Sequence, residues 1–386
     1  MTTSHVEIHL DRVRSNYRKV ALAAGANVMG VIKADAYGHG LVEVGMTLAG
    51  DGIKQLAVFD VEAARRLRAA GVTVPVLIIG PTDHAAFPDA MESDAMVSIF
   101  DESQIDLMDE LAQRMERRAS VQVCIDTGMG REGIRSKRWP SVFAKIRSRR
   151  GLKFTGVWSH FSDADKGCEG CTQAQIERFR AALSASPRAL PDDVQVHIAN
   201  SAGVLSERTG GHPWCRVGIA LYGIEPVQGG SGLDLSPVMS FYSTIAQVRG
   251  VYPGEQVGYG GTWRSRRHSR VATVPVGYAD GLARVLSNRG SFLVRGRRAP
   301  IVGMVSMNVT NIDVTEIPEA KPGDRVTIFG ESESGRIAVD EVAEWSGTIP
   351  YEVVCRVGQI HALRGTRHFV QESMVGVECG CLEFYG

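Results

Sequence analysis

From about residue 26 to residue 223, short β-branched apolar runs alternate with segments whose apolar residues recur at three- and four-residue spacing. The runs are VMGVIKA (28–34), QLAVFD (55–60), PVLIIG (75–80), AMVSIF (95–100), VQVCID (121–126), FTGVWSHF (154–161), VQVHIAN (194–200) and CRVGIALYG (215–223). The intervening VEAARRLRAAG and DESQIDLMDELAQRMERR have the periodicity of amphipathic helices. Repeated strand–helix units predict a parallel sheet, and this number of strands predicts a (β/α)₈ barrel. After Pro226 the pattern becomes a Gly-rich connector and then strand-like runs separated by turns: STIAQVRGVYPGE, SRVATVPVGYAD, SFLVRGRRAPIVGMVSM and DRVTIFG. Helical periodicity returns only near AVDEVAEWSG. The reading is therefore an α/β barrel over residues 1–230 and a mostly β domain over 231–386, with the boundary between 226 and 237.

The balance of 43 Lys plus Arg against 43 Asp plus Glu creates no overall field for nucleic acid or an anionic membrane. A small-molecule partner is expected instead. No run approaches the roughly eighteen apolar residues of a membrane span, and MTTSHVEIHLDRVR lacks the apolar core of a signal peptide. These features predict a soluble, cytoplasmic protein. The seven cysteines (124, 168, 171, 215, 355, 379 and 381) are odd in number and scattered, which argues for a reducing compartment. Cys168 and Cys171 have CxxC spacing without a second ligand pair, so they read as an ordinary loop and no metal site is expected. Cys379 and Cys381 read as part of a plain C-terminal tail.

A barrel enzyme works at the C-terminal ends of its strands. The reactive residues there are Lys33, Arg131, His160, Asn200 with Ser201, and Arg216. Lys33, flanked by Val31, Ile32 and Ala34, is desolvated enough for its amine to become a nucleophile. Taken alone it reads better as a surface lysine at a strand end. A rival pattern is Gly128-Met-Gly130-Arg-Glu-Gly133, which spells the GxGxxG of a dinucleotide-binding dehydrogenase. It lacks the acidic residue about twenty positions on, where Arg149, Arg150 and Lys153 stand, and Trp139-Pro140 is expected to break the helix that should begin at the glycines.

VIKADAYGHG closely resembles the alanine racemase signature around the lysine that carries pyridoxal 5′-phosphate (PLP). The resemblance continues in family order through IDTGMGREGI (125–134), WSHFSDAD (158–165), VHIANSAG (196–203), CRVGIALYG (215–223), VGYGGT (257–262), VGYADG (276–281), APIVGMVSMN (299–308) and YEVVC (351–355). It implies a PLP-dependent isomerase interconverting L- and D-alanine, the D form being a peptidoglycan precursor. By resemblance Lys33 bears the cofactor and serves one face of the substrate α-carbon, while Tyr259 serves the other. Racemisation needs two such groups, because one base returns the proton only to the face it came from. The resemblance further implies Arg216 at the cofactor ring nitrogen with His160 beside it, and Tyr37, Asn200, Ser201, Gly218 and Ile219 holding the cofactor. It gives Arg131 and the main chain of Met307 to the substrate carboxylate, and Tyr278, Arg284 and Asp165 to the entrance. It also implies a homodimer with shared active sites.

Four positions depart from the family pattern. Cys124 stands where a lysine, often carbamylated, steadies the carboxylate arginine, and a cysteine cannot form that carbamate. Met304, Asn308 and Gln359 differ around the entrance. The proton-transfer pair is unaffected, so the alternatives are a racemase of broader specificity, such as for serine, then a decarboxylase of related architecture, then a non-catalytic PLP-binding protein. A decarboxylase places an acidic residue at Arg216, and the carriers are single barrels.

Overall fold

The computed structural model describes residues 4–166, 169–332 and 334–371. Parallel strands at Asn27–Val31, Gln55–Val58, Val76–Ile78, Ala95–Ile99, Ala119–Asp126, Leu152–Trp158, Gln195–His197 and Trp214–Val217 lie side by side. Val97 pairs with Val121, and Arg216 pairs with Met29, so the sheet closes on itself. The strands are buried on both faces, which explains their near-continuous apolar character. Each expected run overlaps one of these strands. The helices around them bury a single stripe, such as Val61, Ala64 and Leu67 in Val61–Ala69, whose N-cap Asp60 accepts from the Ala63 N–H at 2.8 Å.

The second domain is mostly β. One sheet combines Met239–Thr244, Ser291–Val294, Arg297–Pro300, Arg325–Ser332, Gly335–Ile337 and Arg367–Val370 with the chain's first strand, His5–His9. A three-stranded sheet contains Gln247–Val251, Ser269–Val274 and Thr310–Asp313. The first strand departs from the expected division of the chain at residue 230. Val6 pairs with Phe241, and Val6 and Ile8 are fully buried against the later sheet, so the chain enters the barrel only after crossing the other domain.

Two further differences concern helices. Pro350–Leu363 is helical although its Tyr-Glu-Val-Val run has strand-like composition. Burial of Val353, Val354, Val357, Gly358 and His361 on one side, with Pro350 in the first turn, outweighs the weak propensity of the valines. Trp139-Pro140 begins the helix Trp139–Ser148 instead of breaking one, because proline is tolerated where the amide needs no helical partner. The dinucleotide reading still fails, since a short strand at Ile134–Arg135, not a helix, follows Gly133.

Of the cysteine calls, Cys168, Cys379 and Cys381 lie outside the described residues. Cys171, expected in an ordinary loop, sits on the helix Glu169–Ser184 and is disulfide-bonded. No helix among the described residues is long and apolar enough to cross a membrane.

Candidate active site

The C-terminal ends of the barrel strands surround an open cavity of about 370 Å³, lined by Lys33, Tyr37, Arg131, His160, Asn200, Ser201, Arg216, Gly218 and Ile219. These residues come from the first, fifth, sixth, seventh and eighth strands or the loops that follow them. Residues to which sequence reasoning gave no role also line it: Phe59, Ile79, Glu132, Trp158 and Tyr351.

Lys33 stands two residues beyond its strand, and the backbone after it is unusual. Ala34, Asp35, Ala36 and Tyr37 all have φ between 53° and 56°, one turn of left-handed helix made without glycine. Such a turn costs L-residues roughly 1–2 kcal/mol each, so its surroundings must hold it. They do: Asp35 accepts from the Leu41 N–H at 3.0 Å and pairs with Arg367, while the Gly38 N–H closes on the Ala34 carbonyl at 3.0 Å. The turn brings Lys33 and Tyr37 to the same cavity. Burial, reinforced by the charge of Arg131, lowers the Lys33 pKa and favours a neutral amine.

His39 underlies this turn, with Nδ1 3.0 Å from the carbonyls of Ala36 and Tyr37 and its ring stacked on Tyr222 at 4.4 Å. Burial pushes its pKa down to about 4. An unfolded histidine titrates near 6.5, so between those values the unfolded chain binds the additional proton. Stability held by neutral His39 is therefore complete above about pH 6.5 and is lost as pH falls toward 4, by about 1.4 kcal/mol per pH unit within the window. The urea midpoint is expected to drop between pH 7 and pH 5, and His39→Asn should flatten part of that slope. An equal slope in the variant contradicts this account.

Arg216 anchors the opposite wall. Its Nη1 donates to His197 Nδ1 at 2.6 Å, its Nη2 donates to the Ser159 carbonyl at 2.6 Å and to His160 Nδ1 at 3.0 Å, and the Trp158 ring lies 4.7 Å from its Cζ. Guanidinium can only donate, so both histidines accept through Nδ1 and keep their protons on Nε2. The order then propagates through the barrel interior. His197 Nε2 donates to Gln122 Oε1 at 2.8 Å, Gln122 donates to Gln195 at 2.7 Å, and Gln195 donates to Gln55 at 2.7 Å. Burial first, then the neighbouring Arg216 charge, drives His160 and His197 well below the usual histidine range, so both are neutral. Burial pushes Arg216 down to about 10, which leaves it charged at neutral pH.

At the far end of the cavity the Gly218 N–H donates to Ser201 Oγ at 3.0 Å, and a Cβ on Gly218 would lie 2.4 Å from Tyr37 Oη. Only glycine allows this approach. Asn200 caps the short helix Ser201–Leu205 by accepting from the Gly203 N–H at 2.9 Å. Backbone amides and hydroxyls meet here as they do in phosphate cradles.

Tyr259 and Met307 do not line this cavity. They are 74% and 55% exposed on the second domain, where the Met307 carbonyl accepts from the Ala279 N–H at 2.9 Å, beside Tyr278. Arg284, Asp165, Asn308 and Gln359 are likewise exposed, and Met304 is half-buried.

A profile of the alanine racemase N-terminal domain matches residues 8–226, and one of the C-terminal domain matches residues 238–363. The chain belongs to the alanine racemase family. A family relative, an alanine racemase from Syntrophobacter fumaroxidans, is 39% identical over 93% of this chain and 96% of its own length. Another from Halothermothrix orenii is 37% identical over 92% and 94%. Among solved family structures, the alanine racemase of D-cycloserine-producing Streptomyces lavendulae superposes with a TM-score of 0.88 at 31% identity over 98% of each chain. The Bartonella henselae alanine racemase, described with covalently bound pyridoxal phosphate, gives 0.86 at 26% identity over 96% of this chain and all of that one. Membership in this PLP-dependent family accounts for the coexistence of a lysine of lowered pKa, a buried arginine and an amide-lined cradle in one cavity.

Proposed function

We propose that the protein racemises alanine with PLP, using Lys33 and Tyr259 for proton transfer on opposite faces of the α-carbon. The observation that carries this reading is the shared cavity in which half-buried Lys33 faces a buried Arg216 whose acceptors, among the described residues, are histidine nitrogens and backbone carbonyls. PLP fits these residues. Lys33 would hold it covalently, Tyr37, Ser201, Gly218 and Ile219 would take its phosphate, with Asn200 fixing the helix beneath them, and Arg216 would meet its ring nitrogen, with His160 alongside. When bound, the cofactor serves as an electron sink for charge developing on the substrate α-carbon.

The protein's own residues then determine the outcome. Arg216 donates a hydrogen bond but does not surrender a proton at working pH, which limits how much negative charge leaves the α-carbon and favours returning a proton there. A decarboxylase would be expected to carry an acidic group in that position. Lys33, with its lowered pKa, removes or returns the proton on its own face. Arg131 and the main chain of Met307 hold the substrate carboxylate.

Tyr259, Tyr278 and Met307 are exposed together, and the chain folded alone leaves Tyr259 outside the Lys33 cavity. This supports a homodimer in which each second domain completes the other subunit's site. It also argues against a single-barrel carrier.

The decisive experiment follows the optical rotation of L-alanine, L-serine and larger L-amino acids with purified protein and added PLP. Decay of alanine rotation fastest of all is the expected result. Faster loss with serine transfers the assignment to a broader racemase, and no decay with any amino acid removes it.

A further inference from the structure

Arg131 lies on the loop after Ala119–Asp126, and its side chain is 53% exposed, so packing alone does not fix the direction of its guanidinium. The buried group at the departing position, Cys124, does not supply a countercharge. Burial pushes its thiol up to about 12, so it remains neutral, and its Sγ lies against the backbone at Gly133, 3.2 Å from where a Cβ would stand. The side chain that does reach Arg131 is its neighbour's: Glu132 Oε2 accepts from Arg131 Nε at 2.9 Å.

Consecutive side chains diverge in extended backbone, and here the loop is bent so that they converge. Asp126 accepts from the Gly128 and Gly130 N–H groups at 2.9 and 3.1 Å, and Gly130 and Gly133 take φ of 67° and 117°. Glu132, at 26%, is less exposed than its partner and lines the same cavity as Lys33, His160 and Arg216. The bond at Nε leaves the two Nη groups of Arg131 as a fork for a second carboxylate.

We propose that Glu132 is the positioning residue that aims Arg131 at the substrate carboxylate, so that this protein needs no lysine-derived carbamate. The inference rests on the assignment of Arg131 above. Two consequences follow: carboxylate binding depends on Glu132, and it is indifferent to dissolved carbon dioxide.

The test compares the wild-type holoenzyme with Glu132→Gln, Glu132→Asp and Arg131→Ala. Acetate, a carboxylate without an amino group, is titrated by calorimetry, and kcat and KM are measured with alanine in buffer with and without bicarbonate. Glu132→Gln is expected to weaken acetate binding and raise KM about tenfold, the loss of one charge-assisted hydrogen bond, while kcat changes less than about threefold. Glu132→Asp should recover part of the loss, and bicarbonate should change nothing in the wild type. Unchanged acetate affinity in Glu132→Gln, a fall in kcat alone, or a bicarbonate requirement in the wild type each overturns the proposal. If Arg131→Ala binds acetate as tightly as the wild type, the assignment of Arg131 fails instead. If acetate responds as expected but alanine is not racemised, the proposal stands and the substrate reading fails.

Discussion

Lys33→Ala should lose both the yellow colour of bound PLP and racemase activity, with turnover falling at least about 10⁴-fold, because one side chain is asked to anchor the cofactor and to move the proton. The physical basis is local. Lys33 is presented by a left-handed turn, and burial disfavours its charged form, so its amine combines a fixed position with a raised fraction of the neutral form. Added primary amines could replace the missing base but not its placement, so rescue should remain partial. Borohydride treatment of the wild type followed by peptide mapping should return the cofactor on the VIKADAYGHG segment. Recovery on another lysine contradicts the central assignment.

Tyr259→Phe is the second large effect, expected to slow racemisation by roughly 10² to 10⁴-fold, the usual worth of a general acid–base group. Lys33 survives in this variant, so its own face of the substrate should still exchange. By family resemblance the tyrosine serves the L form. D-alanine should therefore take up deuterium from D₂O much faster than it inverts, whereas L-alanine should do neither. A tyrosine that only packs near the cavity would make exchange and inversion fall together for both enantiomers. Since Tyr259 is 74% exposed in the single chain, mixing Tyr259→Phe with Lys33→Ala should also restore activity in hybrid dimers that contain one intact pair. Proven subunit exchange without recovery would exclude the shared site.

Much of the barrel was legible because buried parallel strands read as continuous β-branched runs, and a run leading into Lys33 or preceding Ser201 marks the end of the barrel where chemistry occurs. The network behind the site was not. His197 and Gln122 are buried in strands whose neighbours are apolar, and nothing in VQVHIAN or VQVCID distinguishes a histidine that receives Arg216 from one merely satisfied in the core. Glu132 was hidden for a related reason, since an acidic residue beside an arginine on a loop has the pattern of a solvated pair until the glycine bends turn both toward one cavity.

Alone, the sequence determined the βα alternation, the domain order, the lysine, tyrosine and arginine available for chemistry, and the family that unites them. Those features are written in local periodicity and in residue types that carry their reactive groups wherever they stand. Tertiary structure decided the rest: that His5–His9 joins the late sheet, that the valine-rich Pro350–Leu363 is a helix, and that Ala34–Tyr37 coils to the left. In each case the local preference is worth on the order of a kilocalorie per residue and is outweighed by burial or by distant partners. For the left-handed turn those partners include Arg367, more than three hundred residues away, which pairs with Asp35 only once both domains have folded.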